Sequence, residues 1–200
     1  MIVSFNFYYA LPGQEDAVLR QRLRASDVRQ NIGIPRGRVL SRTAGDADLP
    51  DVIWEHHFDD VAGHHADMAA RAASVEFESI RAGMRKLYRR FERPLFEISG
   101  TAATNFKAPA RVVTLEWVFC APASTAEALV ILDQQATLYA QQGLDRGRLL
   151  RLITPGSDLP ELIWQHECVD ATNYDLMRAE IPAAVKALAQ RVERSVWKVE

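Results

Sequence analysis

In the stretch Val3–Tyr9 the apolar residues Val3, Phe5, Phe7 and Tyr9 alternate with Ser4, Asn6 and Tyr8. The stretch Val113–Phe119 repeats the pattern: Val113, Leu115, Trp117 and Phe119 alternate with Thr114, Glu116 and Val118. Period two with one apolar face predicts, in each case, a strand covered on one side. Pro12 and Pro122 end these strands. Ser124–Glu127 reads S-T-A-E, a capping box, and Leu129, Leu132, Ala136 and Tyr139 follow at helical spacing toward Gly143, a candidate C-cap. Turn-rich "TAGDADLPD" and "ITPGSDLPE" predict the bends of two hairpins. Asp60 and Asp170 stand where a second helix needs an N-cap, and Pro182 splits the later helix or starts its second piece. The run "LYRRFER" (Leu87–Arg93) reads as a solvated helix end, and a short strand closes each half. Each half therefore reads β-α-β-β-α-β.

The halves also match residue for residue. At a constant offset of 110, Gly33–Asp60 and Gly143–Asp170 share 12 of 28 positions without a gap, where ordinary composition would give about two. The shared residues include "RGR" at Arg36–Arg38 and Arg146–Arg148, both copies of "DLP", and the pairs Trp54/Trp164 and His56/His166. "ERPLFEI" (Glu92–Ile98) then lies over "ERSVWKV" (Glu193–Val199), so the first copy carries nine more residues after Asp60. This is an internal duplication, with expected units 1–99 and 111–200 joined by a small-residue connector, 100–110.

Net charge of −2 over 200 residues leaves no basic footprint, so neither nucleic acid nor a membrane surface is an expected partner. The start "MIVSFNFYYALPGQED" has no cationic region or cleavage pattern, and Cys120 and Cys168 form no C-x-x-C. The expectation is a cytoplasmic protein with reduced thiols.

A four-stranded sheet with both helices on one face leaves the other face bare, and two copies can cover each other. This pattern resembles the dimeric α/β-barrel superfamily of ferredoxin-like folds. The fold class expected is α+β: two tandem ferredoxin-like β-α-β-β-α-β repeats packed sheet to sheet as an intramolecular dimeric α/β barrel. "VIWEHHFDD", a long helix and "ERPLFEI" are most similar to the NIPSNAP-like and antibiotic-biosynthesis-monooxygenase-like branches. The resemblance implies a ligand in the cleft between sheet and helices or inside the barrel.

Two readings of the repeated Trp and His stay open. Helices need an apolar face beneath them, which puts Trp54 and Phe58 there and makes His56 and His166 hydrogen-bonded structural imidazoles. In the other reading His56 and His166 contact a ligand. The polar residues Glu55, His57, Asn6 and Tyr8, with Gln165, Glu167, Thr114 and Glu116, are expected to converge on the interior. There Glu55 and His57 form a candidate catalytic acid–base pair, with Asn6, Tyr8 and Glu116 as candidate ligand contacts. A hydrogen-bonded structural network is the competing account. "HHFDDVAGHH" offers His56, His57, His64 and His65, but neighbouring strand residues point to opposite faces, so no metal is expected. Phosphate loops and nucleophile elbows are absent.

Two functions follow. One is an enzyme of monooxygenase, isomerase or cyclase type, working without a cofactor on a small hydrophobic or aromatic molecule. The other is a non-catalytic NIPSNAP-like binding or interaction module. Haem binding is a third, weaker reading. Beyond an internal pseudo-dimer, homo-oligomerisation is left open.

Overall fold

In the computed structural model, which describes residues 1–99, 110–154, 156, 158–169 and 180–200, β1 (Ile2–Ala10) leads into α1 (Glu15–Asn31), β2 (Arg38–Ala44) and β3 (Val52–Phe58). Next come α2 (Val61–Ala73), α3 (Val75–Met84), β4 (Tyr88–Glu92) and β5 (Leu95–Ser99). β6 (Val112–Cys120), α4 (Thr125–Gln141), β7 (Arg148–Leu152), β8 (Leu162–Cys168), α5 (Ala183–Leu188) and β9 (Ala189–Val199) complete the chain. The class is α+β. Residues 100–109 of the expected connector, 100–110, and Asp170 lie outside the described residues.

The chain divides into two units. The first holds Met1–Arg42, Ala47–Leu95 and Val199–Glu200, and the second holds Thr43–Asp46 and Phe96–Lys198. In the first, antiparallel pairing gives the order β2-β3-β1-β4. In the second it gives β7-β8-β6-β9, with Phe96–Ser99 added beside β7. The two four-stranded orders are the same. So is a register shift near the end of the first strand, at Tyr9/Ala10 and at Phe119/Cys120.

The first unit's helix-side core gathers Tyr8, Val18, Ala25, Val28, Val39, Val52, Trp54, Phe77, Ile80 and Met84. Trp54 thus lies beneath the helices, as its apolar face required. In the second unit Val118, Ala128, Leu132, Ala136, Leu149, Leu162 and Trp164 do the same. The acid that follows "DLP" ties down the first strand in both units. Asp51 accepts from the Ala10 N–H at 2.8 Å, and Glu161 accepts from the Cys120 N–H at 2.7 Å.

Several expectations need correcting. β1 was expected to be covered on one side, yet all nine of its residues are buried, because Ser4, Asn6 and Tyr8 face the helices while Phe5 and Phe7 are buried opposite. "LYRRFER" is not a helix end: α3 stops at Met84, and Tyr88–Glu92 pairs with β1, placing Tyr88 and Phe91 against Tyr8. Ser124 sits at the N-cap of α4 in a helical conformation after a tight 3-10 turn, and its side chain makes no capping bond. Asp60 does cap α2, accepting from the Gly63 N–H at 2.8 Å, and Pro182 precedes α5. Gly143 follows the C-cap of α4 with φ +76°, the left-handed turn expected there. Both cysteines are buried and make no disulfide. Among the described residues no helix is long and apolar enough to cross a membrane.

Candidate functional site

The repeated phrase builds the same small frame twice. The Trp54 indole N–H donates to the Arg36 carbonyl at 3.3 Å, and Trp164 donates to Arg146 at 3.0 Å. The next residue, Gly37 or Gly147, has φ of +76° or +69°, and the histidine ring two residues beyond the Trp lies against it. A β-carbon on Gly37 would stand 2.4 Å from the His56 ring, and one on Gly147 would stand 2.7 Å from His166. Glycine is required by both the backbone angle and the space. The second arginine of "RGR" then reaches across the strand pair: Arg38 to Glu55 at 2.7 Å, Arg148 to Gln165 at 2.7 Å. Arg-Gly-Arg and Trp-x-His are therefore one motif in space.

Inside that frame the two histidines differ. His166 is paired, its Nδ1 lying 3.4 Å from Asp145. Burial pushes the Asp145 carboxyl up, but the His166 hydrogen bond and charge and the N–H groups of Gly147 and Glu167 outweigh it and hold the group below its usual range. At the same offset the first unit has Pro35 in place of Asp145. His56 is 2% exposed, and neither ring nitrogen has a hydrogen-bond partner among the described residues. Burial lowers its pKa well below 6.5, helped by the Arg29 and Arg71 charges, so the imidazole is neutral near pH 7. A buried ring with two unused nitrogens carries a desolvation cost of about 1–3 kcal/mol per group.

The larger divergence is in the helices. α1 and α4 run in step, 110 residues apart, and the buried positions Arg22 and Arg29 correspond to Leu132 and Tyr139. Tyr139 stacks on Trp164, centroids 5.5 Å apart. Around Trp54, by contrast, lie three guanidinium groups: Arg22 at 5.0 Å, Arg29 at 5.4 Å and Arg71 at 5.9 Å from the ring centre. Asp67 pairs with Arg29 at 2.6 Å and with Arg71 at 2.8 Å. Arg22 donates to the Tyr8 hydroxyl at 2.9 Å, and Arg93 donates to Asn6 Oδ1 at 2.8 Å. Burial lowers the pKa of Arg29, Arg93 and Arg71, the last to about 10, and all remain charged at neutral pH.

A cavity of about 560 Å³ opens beside this group, at the end of β3 where pairing with β2 stops at Arg38–Glu55. Its polar wall is Arg29, His56 and Asp67; Ile34, Pro35, Phe58, Ala66 and Ala70 are among its apolar lining. Because it wraps the strand end, Arg38, Glu55 and His57 of the opposite face also reach it. Glu55 is fully buried and bonds to His57 at 2.5 Å as well as to Arg38.

The candidates named from sequence are thus not one convergent set. Glu55 and His57 do meet. Asn6 and Tyr8 lie on the helix side with His56, since Asn6 pairs with Trp54 and Tyr8 with Val52 in register. Glu116 is likewise on the helix side of its unit, opposite Trp164. It borders a separate cavity of about 590 Å³ and is paired with Arg194. Burial, only partly countered by Arg194, lifts its pKa to about 7. Sequence reasoning missed Arg22, Arg29, Asp67, Arg71 and Arg93. Offset comparison of Arg22 with Leu132 and Arg29 with Tyr139 carried the available signal.

No known family model matches the sequence, and no curated protein does. Solved structures do. An anthrone oxidase-like protein matches with a TM-score of 0.67 at 13% identity over 100% of this chain and 90% of its own. A candidate monooxygenase from Lactobacillus acidophilus NCFM gives 0.59 at 11%, covering 99% and 93%. A chlorite dismutase mutant from Candidatus Nitrospira defluvii gives 0.55 at 10%, covering 100% and 91%. These are dimeric α/β-barrel, ferredoxin-like folds, and at such identities the likeness shows fold.

One expectation is overturned by these neighbours. No cofactor was expected, but chlorite dismutases are haem-binding proteins. Haem iron takes an unprotonated histidine nitrogen. His56 offers one at a cavity wall, so the residues present fit that group. A haem held there would supply one-electron and oxygen chemistry, with the ion-paired Arg29 and Arg38 lining the same cavity.

Proposed function

We propose that the chain is a tandem duplication of one ferredoxin-like unit, in which the first unit works and the second keeps the shared frame. The matching strand orders and the doubled Arg-Gly-Arg/Trp-x-His frame support the duplication. In this reading the cavity of the first unit takes a small, largely apolar molecule, and His56 accepts or returns a proton in a reaction of the monooxygenase-like type. The observation that carries it is His56 itself: neutral, buried, without a hydrogen-bond partner among the described residues, and at the wall of a cavity, while His166 is held by Asp145. A proton acceptor needs a free nitrogen within reach of the substrate, and His56 has one. Glu55, His57 and Arg38 then serve as a charged rim that positions the ligand's outer end.

Anthrone is the first probe, chosen because the fold is similar to that of an anthrone oxidase-like protein. Quenching of tryptophan fluorescence should saturate with anthrone in the wild type, because Trp54 packs 4.3 Å from His56. Ala66→Trp places bulk at an exposed wall of the cavity, away from the core, and should abolish the saturation. Unchanged binding in Ala66→Trp would remove this cavity as the site.

A further inference from the structure

We propose that the ligand of the first unit is an organic anion, a flat apolar body bearing an oxyanion that is held by Arg29 within a field of four buried or half-buried arginines. This rests on the reading of that cavity as the small-molecule site. The inference comes from charge. Arg22, Arg29 and Arg71 are each less than 5% exposed, and Arg93 is partly buried beside them, but among the described residues Asp67 is the carboxylate that pairs with this group. Arg22 and Arg93 have no ion pair among the described residues; their hydrogen bonds go to a phenol, an amide and the Met68 thioether. Taking a cation out of water without a counter-charge is unfavourable, and placing several together compounds it.

The shared frame does not ask for Arg22 or Arg29. At the corresponding positions of α4 the second unit carries Leu132 and Tyr139 and packs the same Trp; Arg93 has a counterpart in Arg194, but that arginine is paired with Glu116. An unmatched positive charge retained in one half only is explained by a negative charge that arrives with a ligand. Arg29 lines the cavity and can meet that charge, while Arg71 stands behind it through Asp67. Neutral His56 lines the same wall and can donate its one ring N–H to the oxyanion. The apolar lining of Ile34, Pro35, Phe58 and Ala70 suits a ring system rather than a bare inorganic ion.

The test compares two probes of one shape, 2-naphthoate and neutral 2-naphthamide, by titration calorimetry. The wild type should bind the carboxylate at least tenfold tighter than the amide. The second unit supplies the replacements: Arg29→Tyr should bring that ratio close to one, and Arg22→Leu, which leaves Arg29 in place, should reduce it. Thermal unfolding shows which variants are folded, and Arg22→Leu serves alone if Arg29→Tyr is not. Equal affinities in the wild type would overturn the anion while leaving the cavity reading intact. Binding of neither probe would overturn both. A preference that survives undiminished in the folded variants would show that these arginines do not set it.

Discussion

Gly37 and His56 are in contact so close that a single methyl group on the glycine would fall 2.4 Å from the imidazole. Gly147 and His166 repeat the relationship at 2.7 Å. Both glycines have positive φ, so a side chain there meets strain from the backbone and from the ring together. Gly37→Ala and Gly147→Ala should each lower stability by about 1–3 kcal/mol, read by chemical denaturation. Gly37→Ala should also displace His56 and weaken ligand binding, whereas Gly147→Ala should leave binding unchanged.

The two tryptophans should behave alike because both are fully buried and both donate to the first arginine of the motif. Trp54→Ala and Trp164→Ala are each expected to destabilise by about 3–5 kcal/mol through the cavity they leave. A loss below about 1 kcal/mol in either one would contradict a packing role.

Stability should depend on pH through His56 with a defined sign. Its folded pKa is depressed below 6.5 by burial and by Arg29 and Arg71, so the unfolded chain binds the extra proton as pH falls. His64, lowered by burial and by Arg71, adds in the same direction. Stability is therefore held above about pH 6.5 and lost progressively below it. His56→Gln should flatten that part of the curve; an unchanged slope below pH 6.5 would show that His56 is not buried neutral.

Glu116 should act with the opposite sign. Burial raises its folded pKa from 4.5 to about 7, so its contribution is present below pH 4.5 and is lost as pH rises to 7. Glu116→Gln should remove this component, and the difference between variant and wild-type unfolding curves isolates it. A Glu116→Gln curve parallel to the wild type from pH 4.5 to 7 would contradict the raised value.

Much of this was legible in the chain. The hairpins, the Asp60 cap and the burial of Trp54 under helices follow from periodicity and spacing. The arginine group does not, because hydrophobic periodicity takes an arginine as an outward-facing residue. Arg22 and Arg29 therefore blurred the inner face of α1 instead of marking it. Arg93 was hidden in "LYRRFER", where charge suggested a solvated end and Tyr88 and Phe91, three residues apart, showed no period of two; a register shift at Tyr9/Ala10 accompanies the packing of both on Tyr8. Asn6 and Tyr8 were grouped with Glu55 by polarity, but strand register sets the face, and register places them with Trp54 and Val52. The loss of His56's partner was visible only as Pro35 standing opposite Asp145.

Haemin offers a check on the donor at the cavity wall. Any Soret band it gives with the protein should be removed by His56→Ala and retained in His166→Ala. A band that depends on His166 instead would assign the cofactor to the second unit.

The central claim is that one copy of a duplicated histidine serves a ligand while the other serves the fold. Parallel calorimetry and thermal unfolding of His56→Gln and His166→Gln, with 2-naphthoate as the ligand, test it most directly. The account predicts that His56→Gln melts at or above the wild-type temperature at pH 7 and loses binding at least tenfold. His166→Gln should melt lower, having lost the Asp145 pairing, and bind as the wild type does. Matching behaviour of the two variants, or loss of binding in His166→Gln alone, would contradict it.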